Sequence, residues 1–64
     1  MENVNFRQVF QELVDEMGDD VIVAQALGCN RATVYRFRTG GLKMPSWSFG
    51  DKVLRLYERV RRES

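Results

Sequence analysis

The sequence predicts an all-α domain of four to five short helices, and three observations carry that expectation. Apolar residues recur at i, i+3, i+4 spacing over residues 6–17 and again after residue 47, the period of a helix with one buried face. Between them, residues 19–39 hold two shorter apolar-inward segments that meet across Gly28, the spacing of a helix-turn-helix. A chain of 64 residues with 44% hydrophobic and 30% charged content fits one globular domain, residues 1–64, and argues against a disordered one. At that length a monomer is marginal, so self-association or a ligand would add to its stability.

The first helix is expected over residues 6–17, with Phe6, Val9, Phe10, Leu13, Val14 and Met17 on its inner face. Asn5 and Gln8 give it a start resembling a capping box, and Gly18 closes it. Its outer face carries Gln8, Gln11, Glu12, Asp15 and Glu16, an acidic surface that belongs away from nucleic acid. The second helix is expected from about Val21 to Leu27, capped by Asp19 or Asp20. Ala24 is small because the next helix crosses there, and Gly28 suits a turn that favours positive φ.

Asn30 is the expected cap of the third helix, Arg31 to Thr39, which ends at Gly40 and Gly41. Leu42, Lys43, Met44 and Pro45 read as a loop, and Ser46 as a cap for a last helical segment from Trp47 to Arg62. That segment has Phe49, Val53, Leu56, Tyr57 and Val60 on one stripe, with Trp47 and Leu54 nearly opposite. Trp47 and Leu54 are therefore candidates for a dimer contact, the competing reading being that Trp47 folds back over the loop into the core. Gly50 either breaks the segment, with Asp51 capping the remainder, or admits a close approach of another backbone. Lys52, Arg55, Arg59 and Arg62 form a third face, read as mostly solvated, with Asp51 to Arg55 and Glu58 to Arg62 at i, i+4.

The net charge of +1 hides a strong polarity. Residues 1–30 hold one base, Arg7, against six acids, whereas residues 31–64 hold nine bases against three acids. A polyanion would prefer the second half, which begins at the third helix. With Val34 and Phe37 turned inward, that helix points Ala32, Tyr35, Arg36 and Thr39 outward, with Arg31 projecting from its first turn. An α-helix fits the major groove of B-form DNA, where arginine bonds the O6 and N7 of guanine and alanine touches a thymine methyl. Arg36 and Arg31 are the leading base-reading candidates, followed by Ala32 and Tyr35, the latter suited to a base or a phosphate. Arg38, Thr39, Lys43 and Ser46 suit phosphate oxygens, although Arg38 and Lys43 also read as solubilising charge.

Other functions find little support. The chain has no histidine, no metal-ligand cluster and no base beside Ser46 or Ser48, and Gly40-Gly41 is too short to cradle a phosphate, so no enzyme, metal, cofactor or small-molecule substrate is expected. The longest aliphatic run, Val21 to Ala24, is too short for a membrane, and the start of the chain has no export signal. Cys29 reads as a reduced core thiol.

Over VAQALGCNRATVYRF, and on to Gly40-Gly41 and Pro45, the chain resembles the Cro and lambda-repressor-like family of phage and bacterial helix-turn-helix regulators. The short MGDD connection looks more like Cro than like the longer repressors. The resemblance implies a small lambda-repressor-like domain in a bacterial or phage-infected cytoplasm, binding a palindromic DNA operator as a homodimer. It puts Arg31, Ala32, Tyr35 and Arg36 on base-reading positions, and Asn30 and the loop around Lys43 on backbone-contacting ones. Asp20 departs from it, standing where some members have a DNA-contacting glutamine, and the continuous C-terminal helical pattern departs from the family's dimer elements. The alternative function is a protein-interaction module on the same scaffold, without DNA reading.

Overall fold

Four helices form the structure, a computed structural model that describes residues 4–63: α1 (Phe6–Met17), α2 (Asp20–Leu27), α3 (Arg31–Thr39) and α4 (Trp47–Glu63). The first three begin at short polar caps in extended backbone. Asn5 Oδ1 accepts from the Gln8 amide at 3.3 Å, Asp19 Oδ1 from the Ile22 amide at 3.1 Å, and Asn30 Oδ1 from the Ala32 amide at 2.8 Å. Each such bond satisfies an amide that the helix itself cannot, worth about 1 kcal/mol. Of the two aspartates before α2, Asp19 is the cap, because its backbone is extended (φ −160°, ψ 176°). Asp20 is thereby the first helical residue, one position earlier than the sequence pattern placed the helix start, and its carboxylate is free to reach another helix.

Both α2 and α3 end in the same backbone motif. Gly28 (φ 71°) donates to the Gln25 carbonyl while Cys29 donates to that of Ala24, and Gly40 and Gly41 repeat the arrangement on Phe37 and Arg36. This pair of bonds closes a helix with one residue in the left-handed region, which glycine occupies without the clash a Cβ would bring. Gly28, Cys29 and Asn30 are then the whole connection between α2 and α3. Lys52 adds a further closure: its ammonium, expected in solvent, donates to the Leu27 carbonyl at 3.3 Å, a cation at the negative end of α2.

The helix pairs α1–α2, α1–α3 and α2–α3 all pack, and α4 lies across α1 and α2. Phe10, Leu13, Val23, Val34 and Val53 are fully buried, and Ala24 is 3% exposed where α2 meets its neighbours. Three rings join the helices at the centre: Phe10 stacks on Phe37 with centroids 4.7 Å apart, and Phe49 sits 6.4 and 6.2 Å from the two. Ring pairs at these distances add roughly 0.5–1.5 kcal/mol beyond the area they bury.

Gly50 does not interrupt α4, which runs unbroken to Glu63. What comes close to it is side chains: a Cβ at Gly50 would stand 3.2 Å from Pro45 Cγ and 3.6 Å from Phe6 Cζ. Ser46 accepts the Gly50 amide through its carbonyl at 2.8 Å, so it enters the first turn by backbone. Trp47 does not fold into the core; it is 81% exposed, whereas Leu54 is half-buried against the core edge. Tyr57, expected on the inner stripe, is half-buried and donates its hydroxyl to Glu12 Oε1 at 3.0 Å, tying α4 to α1. Among the described residues no helix is long and apolar enough to cross a membrane.

Candidate nucleic-acid interface

Burial of Val34 and Phe37 fixes the rotation of α3 about its axis. Since successive side chains turn by about 100°, the opposite side of the helix must face out. Arg31, Ala32, Tyr35 and Arg36 are all exposed there, Tyr35 by 54%. No part of the α4 backbone lies against α3 among the described residues, so this row stays uncovered. Its ends are set by the Asn30 cap at one side and the Gly40 turn at the other.

The proposed backbone-contacting residues divide by what already holds them. Arg38 is committed within the protein. Its Nε and Nη2 donate to the two carboxylate oxygens of Asp20 at 2.8 and 2.9 Å, and Nη1 donates to Gln11 Oε1 at 3.3 Å. The guanidinium also lies 5.7 Å from the centre of the Tyr35 ring. The bond to Asp20 raises the Arg38 pKa above its ordinary value, burial opposes this, and the neighbouring charge of Asp20 adds to it. Arg38 is thus a strut joining α1, α2 and α3 rather than an unoccupied phosphate ligand, which corrects the reading of it as solvated charge.

Thr39 is also occupied: its hydroxyl donates to the Tyr35 carbonyl at 3.0 Å, so it must rotate before it can donate to an outside oxygen. Asn30 uses its side-chain oxygen as the α3 cap. Lys43 and Ser46 are exposed in the loop after α3, and the Lys43 ammonium has no ion pair among the described residues. The two candidates for a dimer contact are unequal, with Trp47 nearly free of the protein and Leu54 partly used by the core. Cys29 is half-buried, and its thiol is pushed above the ordinary value of 9.0 by desolvation, against the opposing charge of Lys52. A raised pKa keeps the thiol protonated and unreactive.

Two residues that sequence reasoning did not assign to this surface lie beside it. Gln11 bonds Arg38, and Arg7 lines the same hollow as Gln8, Gln11 and Arg38. The outer face of α1, read as one acidic surface that carries Gln8, Gln11, Glu12, Asp15 and Glu16, is in fact divided. Its Gln8 and Gln11 side adjoins α3, while Glu12 bonds Tyr57 and Glu16 lines a hollow with Arg59 of α4. Arg7 as the sole base of the first 30 residues was the available signal, but its neighbours come from residues 38–43, which no local pattern links to it. Compared with known proteins, the chain matches no family model, no curated protein and no solved structure.

Proposed function

We propose that this chain is a sequence-specific double-stranded DNA-binding transcription regulator. In this reading α2 and α3 act as a helix-turn-helix, as in the Cro and lambda-repressor-like regulators that residues 23–37 resemble. The observation that supports it best is the uncovered outer row of α3, in which two arginines, a tyrosine and an alanine stand together on a helix braced from behind by Val34 and Phe37. Arg36 and Arg31 bond guanine edges, Ala32 meets a thymine methyl, and Tyr35 reaches a base or the adjoining phosphate. The protein acts as a homodimer through a face that includes Trp47, one α3 per half-site, with half-sites about 34 Å apart. Repression by blocking polymerase access is the simplest outcome of such occupancy.

The test is selection of duplexes from a random pool, followed by binding of Arg36→Ala to the selected and to random sequences. The expected loss is about 1–3 kcal/mol on the selected duplex, with discrimination relaxed at one base pair and little change on random duplex. Equal losses on both would remove Arg36 from base readout. No duplex binding by the folded wild type, even at low salt, would assign the α3 face to a protein partner instead.

A further inference from the structure

Alongside the C-terminal end of α3, two hollows run together. The first, about 320 Å³, is lined by Asn5, Arg7, Gln8, Gln11 and Arg38. The second, about 360 Å³, is lined by Asn5, Arg7, Gly40 and Lys43 together with the apolar Val4, Phe6 and Leu42. Because Asn5 and Arg7 line both, the two form a trough from Arg38 to Lys43, and among the described residues no carboxylate lines it.

This is unusual ground in the acidic half of the chain, where Arg7 is the one base against six acids. Three of the acids are engaged by other side chains, and two of these, Asp15 and Asp20, stand behind the lining residues Gln11 and Arg38. Glu12 faces Tyr57 and Asp20 faces Arg38, while Asp15 accepts from Gln11 Nε2 at 3.0 Å. Asp20 neutralises Arg38, so the uncompensated charge of the trough belongs to Arg7 and Lys43. Neither makes an ion pair or a side-chain hydrogen bond with any described residue. Two cations held on different elements and lining one hollow bind an extended polyanion better than a single carboxylate, which one of them would satisfy.

We infer that this trough seats the sugar–phosphate backbone of duplex DNA beside the bases read by α3, with Arg7 and Lys43 as the phosphate ligands and the Gln8 amide as a neutral donor. The inference rests on the DNA-reading role of α3 and extends it to α1. It makes α1 part of the interface, so that the strand is gripped from two elements and the angle of α3 in the groove is set by both. Phosphate contacts of this kind fix register and add no sequence preference.

Salt dependence reads the contacts directly. Each phosphate neutralised contributes about 0.9 to the slope of log affinity against log salt. With the full chain and a duplex selected from a random pool, Arg7→Gln is expected to lower that slope by about 0.9, and Arg7→Gln with Lys43→Gln by about 1.8. Between 50 and 200 mM salt the wild type then loses about 3–4-fold more affinity than the single variant. Selected and random duplexes should be affected alike, unlike the response to Arg36→Ala. Arg7→Lys keeps the charge and should restore the slope, separating charge from folding. A wild type that binds duplex with a slope unchanged by Arg7→Gln overturns the seat and leaves the α3 reading intact. A folded wild type that binds no duplex at low salt overturns both.

Discussion

The Arg38 guanidinium and the Asp20 carboxylate meet edge to edge, with 22% and 23% of their side chains exposed. Two parallel bonds between charged groups, partly shielded from water, hold more firmly than a surface ion pair in solvent. The pair also decides the electrostatics at the start of α2. Its first amides would attract a phosphate, but a carboxylate stands among them, and the nearest arginine is bound to that carboxylate. Asp20→Asn is therefore expected to act in two directions. Loss of the charge weakens the strut and lowers stability by about 1–2 kcal/mol, read as a drop in melting temperature. The released Arg38 guanidinium adds a cation beside α3, so duplex affinity at low salt should rise and its salt slope steepen. Unchanged stability would show that the pair is no strut, and unchanged duplex affinity would show that Arg38 lies outside reach of the backbone.

At the scale of elements, α4 shows how one residue sets the fit of a whole helix. Gly50 is buried where the Pro45 and Phe6 side chains come close, so the loop after α3 and the first turn of α1 both rest on the place where its side chain is absent. In a helix interior glycine costs about 1 kcal/mol relative to alanine, and here that loss is offset by close packing. A methyl at this position meets Pro45 Cγ at 3.2 Å, a contact the exposed loop can relieve by a small shift, so Gly50→Ala should be tolerated within about 1 kcal/mol. Gly50→Leu has no such relief against the Phe6 ring and should destabilise by about 1–3 kcal/mol in denaturant titration. If leucine is as well tolerated as alanine, α4 is not seated as tightly as these distances require.

The whole molecule is held by few buried side chains, which makes each one count. Phe10, Phe37 and Phe49 come from α1, α3 and α4, so the ring cluster is the point at which α3 is joined to the rest of the protein. Phe37→Ala should lose about 3–5 kcal/mol. Domains of this size have only about 3–10 kcal/mol of stability in total, so the variant should be largely unfolded at 37 °C by circular dichroism. A loss below about 1 kcal/mol would mean that α3 is held mainly by its caps and by Arg38. The outer row of α3 and the Trp47 ring are among the features that the folded core leaves exposed, one polar and basic, the other apolar.

The sequence by itself determined most of the element ends, while the Gly50 alternative in α4 was decided by packing. Caps at Asn5 and Asn30, glycine ends at Gly18, Gly28 and Gly40, and the apolar stripes are local features, because hydrogen bonds to free amides and left-handed turns depend on residues within a few positions. The exposure of Arg31, Ala32, Tyr35 and Arg36 was legible for the same reason: helical geometry turns them away once Val34 and Phe37 are buried. The ion pairs of Asp51 with Arg55 and Glu58 with Arg62 follow from i, i+4 spacing, but only the tertiary structure decided which charges meet between helices. Arg38 meets Asp20 across 18 positions of sequence, and Arg7 comes to share a trough with Lys43 from the far side of two helices. Coulomb interactions follow distance in space, and that distance was set by how α1, α2 and α3 pack around the ring cluster.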